Sequence, residues 1–78
     1  MEHLKKASDR FKAAHEEFFQ SNPGYAVGYG YDPSRKGPPG VVVFAMPKDS
    51  KHSAAMVQEA RSSLPSIWEG LSVYVDAR

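Results

Sequence analysis

The sequence predicts a single small α+β domain spanning residues 1–78, with elements in the order α-β-β-α-β. Its sheet is expected to be three-stranded and mixed, with two helices on one face. Three observations lead there. Residues 2–21 carry apolar side chains at helical spacing. Two strand-like runs, near Tyr25–Tyr31 and Gly40–Met46, flank a turn-rich segment. A second helix-then-strand pattern completes the chain.

The first helix is expected over Glu2–Ser21. Leu4, Ala7, Phe11, Ala14 and Phe18 follow steps of three and four, which places them on one helical face, while lysines, arginine and acids fill the rest. Asn22-Pro23-Gly24 ends it, because the residue before a proline is pushed out of the helical region and glycine accepts a reversed φ. Tyr25–Tyr31 alternates as a strand. Tyr25, Val27, Tyr29 and Tyr31 share one face, and the other carries only Ala26, Gly28 and Gly30. The segment Asp32–Gly40 is turn chemistry almost throughout. The run Val41–Met46 is apolar on both faces, as a central strand would be.

Pro47–Ser50 closes that strand and offers Asp49 or Ser50 as a helix N-cap. The second helix is expected over Lys51–Ser63, with Ala55, Met56, Ala60 and Ser63-Leu64 inward and Pro65 as its stop. Ser66–Gly70 reads as a turn and Leu71–Val75 as the last strand. A right-handed crossover makes that strand parallel to the second. Sheet order 1-2-3 is the simplest arrangement and 2-1-3 the alternative; either leaves two open edges.

Composition narrows the function classes. The chain has 78 residues, no cysteine and a formal charge of +1. The absence of cysteine removes disulfides and thiolate metal sites. A chain this short buries only about 60–65% of its unfolded surface, and self-association would add to that burial. Near-neutrality disfavours bulk electrostatic capture of nucleic acid. No apolar run approaches the length of a membrane span, and no apolar signal core follows the N-terminal lysines, so a cytoplasmic protein is expected.

The residues Val27-Gly28-Tyr29-Gly30, Val41-Val42-Val43-Phe44, and Leu64-Pro65 with Gly70, Val73 and Val75 resemble small α/β modules found beside trypsin-like serine peptidase domains. The element order also resembles a ferredoxin-like fold lacking its first strand, as in inhibitor-like propeptides of subtilases. Both resemblances imply a protein-interaction role and carry over no catalytic residue.

The residues themselves support no catalytic, cofactor or metal site. Asp49-Ser50-Lys51-His52-Ser53 holds the residue types of a hydrolase triad, but neighbours in one turn cannot reach triad geometry and read better as a helix start. His3, His15 and His52 form no ligand pair at helical spacing. GYGYDPSRKG lacks the spacing of a phosphate loop. A candidate interaction surface remains: Tyr25, Gly28, Tyr29, Gly30, Tyr31 and Trp68. The tyrosines either pack on Phe11, Phe18 and Trp68 or stack unpaired bases. Gly28 and Gly30 inside a strand call for a close neighbour, a bulge or a partner backbone. Trp68 either closes the core or anchors a partner. The function expected is a non-catalytic protein-interaction module that self-associates as a homodimer or binds a protein partner. The alternative is a single-stranded nucleic-acid binder using those tyrosines with Arg35, Lys36 and Lys48.

Overall fold

The computed structural model describes residues 2–47 and 51–77. Asp49 and Ser50, the expected N-cap, therefore lie outside the described residues, as do Lys48 and part of the Asp49–Ser53 segment. The elements are α1 (Glu2–Ala14), α2 (Glu16–Ser21), β1 (Tyr25–Gly30), β2 (Gly40–Ala45), α3 (Ser53–Ser63), β3 (Ile67–Trp68) and β4 (Leu71–Ala77). The sheet has order β1-β2-β4-β3. The three expected strands thus lie in the order 1-2-3, with β1 antiparallel to β2 and β2 parallel to β4. The α+β class and mixed sheet hold, but the described residues form four strands rather than three, and three helices rather than two.

The fourth strand comes from a segment expected to be only a turn. Trp68 pairs with Leu71 and Ile67 with Ser72, so Glu69-Gly70 is a two-residue hairpin loop. Both residues have positive φ, +51° and +79°, the mirror-image turn whose twist matches its flanking strands. Glycine takes that conformation freely; glutamate does not. The Glu69 carboxylate is held by Arg10 of α1, which donates from Nε to Oε2 at 2.8 Å and from its terminal nitrogen to Oε1 at 2.6 Å. The turn is therefore tied to the first helix.

The first helix is interrupted at His15, where both the backbone N–H and Nδ1 lie within hydrogen-bond distance of the Phe11 carbonyl. The break redirects the inner stripe. Leu4, Ala7, Ser8 and Phe11 are buried, then Phe18 and Phe19 turn inward while Ala14, expected inside, is exposed. α3 differs similarly: Ala60 and Leu64 are buried and Met56 is half-buried, but Ala55 and Ser63 face solvent.

The core lies between the helices and one sheet face. Phe11, Val41, Val43, Ala60 and Leu64 form its buried centre, with Tyr25, Val27, Trp68, Val73 and Val75 packed around it. Phe11, fully buried, meets the Trp68 ring edge-on at 5.6 Å, a favoured aromatic geometry. On the opposite face the Asp32–Pro39 loop folds back over the sheet. Tyr74 donates its hydroxyl to the Pro38 carbonyl at 2.6 Å, and Val42 is buried there. Gly40 lets β2 and β4 approach: a Cβ on it would lie 2.2 Å from the Ser72 carbonyl oxygen.

Candidate functional site

The Asp32 carboxylate organises the loop that leaves β1. It accepts hydrogen bonds from the backbone N–H groups of Ser34, Lys36 and Gly37 and from the Ser34 hydroxyl. Donation by Ser34 above all, with Gly37 and Lys36, holds its pKa below the ordinary carboxylate value, against the opposing effect of burial. A Cβ at Gly37 would sit 2.7 Å from the Tyr74 hydroxyl and 3.1 Å from the Asp32 Oδ2, so a side chain there would displace the ends of both. The loop is thereby pinned across the outer face, and β1 is left as the sheet's outermost strand.

The orientation of β1's backbone follows from one hydrogen bond. The Met46 N–H donates to the Gly24 carbonyl at 2.7 Å, one position before the Tyr25–Ala45 pair. In an antiparallel ladder, facing and averted residues alternate. Ala26, Gly28 and Gly30 therefore direct their backbone groups to β2, and Tyr25, Val27 and Tyr29 direct theirs outward. Among the described residues, no hydrogen bond outside the ladder occupies those outward groups. The strand YAVGYG contains no charge and no proline, and its register with β2 is unbroken by a bulge. Such devices are how edge strands commonly avoid pairing with other chains.

The side chains named from sequence separate here. Tyr25 is half-buried, its ring 5.3 Å from that of Phe18 and its hydroxyl donating to the Met56 carbonyl at 2.9 Å. Burial, helped by Glu59, raises its pKa. Tyr29 and Tyr31 are exposed, at 40% and 70%. Of the three rings considered for base stacking, then, one is committed to packing. Gly28 has a neighbour in its own sheet: a Cβ there would lie 3.4 Å from the Phe44 ring, while one at Gly30 would meet nothing within 4 Å. Tyr25, Gly28, Tyr29 and Gly30 come together on β1, with Tyr31 just beyond.

Trp68 does not join them. It lies on β3, at the opposite end of the sheet, where its indole N–H donates to the Ala7 carbonyl at 3.1 Å. The sequence reading missed the averted backbone of β1, because strand pairing fixes it and side-chain pattern does not.

No family model, curated protein or solved structure matches the chain.

Among the described residues, no group of three or more histidine, aspartate or glutamate side chains is placed to hold a metal ion. His15 instead packs between Phe11 and Trp68, with ring centroids at 4.4 and 5.5 Å. No described helix is long and apolar enough to cross a membrane.

Proposed function

We propose that this chain is a non-catalytic protein-interaction module that self-associates through the open edge of β1. The observation that carries the proposal is the averted, unoccupied backbone of Tyr25, Val27 and Tyr29 on a strand without charge, proline or bulge. The edge is self-complementary. With a two-fold axis at Val27, Tyr25 lies opposite the partner's Tyr29 and Val27 opposite the partner's Val27, and all the averted groups find partners. On the outer face only Ala26 and Gly28 meet across the axis, so no bulky side chain stands in the way. The exposed Tyr29 and Tyr31 supply amphipathic area at the rim of that contact. A cysteine-free chain suits the reducing cytoplasm.

Sedimentation velocity across a wide protein concentration range tests this. The parent protein is expected to shift from monomer to dimer with increasing concentration. Tyr29→Lys places a charge on the edge and is expected to weaken the dimer at least ~tenfold while leaving Tm nearly unchanged. A parent protein that stays monomeric at millimolar concentration would contradict the proposal.

A further inference from the structure

A second open edge lies on the other side of the sheet. β3 covers only the start of β4, pairing with Leu71 and Ser72, and the Val73 N–H donates to the Ser66 carbonyl at 2.9 Å. Beyond that point β4 has β2 as its sole strand partner among the described residues. Backbone direction alternates along a strand, so Val75 and Ala77 avert their N–H and C=O groups as Val73 does.

This edge borders a groove. Three contiguous hollows, of about 550, 560 and 240 Å³, lie between α3, the Asp32–Ser34 segment and β4. Arg61 of α3 lines all three and therefore stands at the middle of the groove. It is exposed and has no ion pair or hydrogen bond among the described residues. On the α3 side the groove's walls mix apolar Val57, Leu64, Val73 and Val75 with polar Gln58. Two carboxylates also border it: Asp76, which belongs to the opposite sheet face, since it pairs with Phe44 and alternates with Val75, and Asp32, whose oxygens already accept from Ser34, Lys36 and Gly37.

We infer that this groove binds an extended peptide segment that adds a strand to β4, with an Asp or Glu side chain against Arg61 and an adjacent Lys or Arg against Asp76. The charges dictate this pattern. Successive side chains of an added strand point to opposite faces, so an acidic residue directed toward α3 puts its neighbour on the face of Asp76. Main-chain hydrogen bonds to Val75 and Ala77 would hold the segment, and the two charges would set its register. The occupant passes through the groove, because the hollows continue past Arg61 both toward Ser66 and toward Ala77. This site is independent of the β1 edge.

The probe is the capped hexapeptide acetyl-Thr-Val-Glu-Lys-Val-Thr-amide, titrated into the ¹⁵N-labelled full chain and followed by NMR. Shifts are expected at Val57, Arg61, Val75, Asp76 and Ala77, and not along Tyr25–Gly30. Replacing the peptide's glutamate by glutamine, or Arg61→Gln in the protein, is expected to weaken binding about fivefold, and combining both changes should weaken it no further. Arg61 is exposed, so Arg61→Gln should keep the parent Tm. Tyr29→Lys should leave peptide binding unchanged, which separates failure of this inference from failure of the β1 reading. No shift at millimolar peptide, shifts confined to β1, additive losses from the two changes, or binding that requires a free C-terminal carboxylate would each overturn it. So would displacement of the peptide on dimerisation, which would identify a second copy as the occupant.

Discussion

Two glycines and one aspartate show how single residues set the sheet's shape. At Gly40 a side chain would collide with the Ser72 backbone, which cannot rotate away. Gly40→Ala is expected to destabilise by about 3 kcal/mol in urea unfolding, since β2 and β4 must separate. At Gly28 the nearest atom is a Phe44 ring carbon at contact distance. Gly28→Ala is expected to stabilise by about 0.5 kcal/mol by restricting the unfolded chain, whereas Gly28→Val should destabilise by crowding that ring. Asp32 adds a pH dependence. Its folded pKa lies below its unfolded value, so its contribution is complete above the unfolded value and is lost as pH falls through the folded one. Asp32→Asn is therefore expected to lower the urea midpoint at pH 7, and the gap to the parent should narrow once the pH falls below about 4. Such roles were only partly legible. A glycine in a strand signals that something lies close, but Phe44 and Ser72 become those neighbours only through pairing.

At the scale of elements, β2 is the strand that sequence describes best. An uninterrupted apolar run requires burial on both faces, and Val41, Val42 and Val43 receive it. β3 was hidden for the opposite reason. Two residues are too short for any periodic signal, and a glutamate occupies a position where asparagine or aspartate is the familiar turn former. What stabilises that turn is Arg10, fifty-nine positions away. The break at His15 was equally invisible, because the residues on both sides continue a helical pattern. Trp68 ties this hairpin to α1 through Ala7 as well as through Phe11. Trp68→Phe retains an aromatic ring but loses the indole hydrogen bond and some volume. It is expected to destabilise by about 1–2 kcal/mol in thermal or urea unfolding.

At the largest scale, the four strands and three helices of the described residues enclose one core and, among those residues, leave backbone open at both sides of the sheet. The two sides differ in chemistry. β1 presents an edge strand without charged side chains, and β4 borders a groove with Arg61 toward α3 and with Asp76 and Asp32 beside it. Sequence marked the first place through its tyrosines and glycines, but which backbone groups point outward depends on register, and register is a property of the folded sheet. Amide hydrogen exchange tests the central claim most directly, because it reports on those groups themselves. The Tyr25, Val27 and Tyr29 amides are expected to exchange rapidly in dilute solution and to gain at least ~tenfold protection at concentrations where the protein dimerises. Rapid exchange of all three at every concentration, with Val41 and Val43 protected throughout, would contradict pairing at the β1 edge.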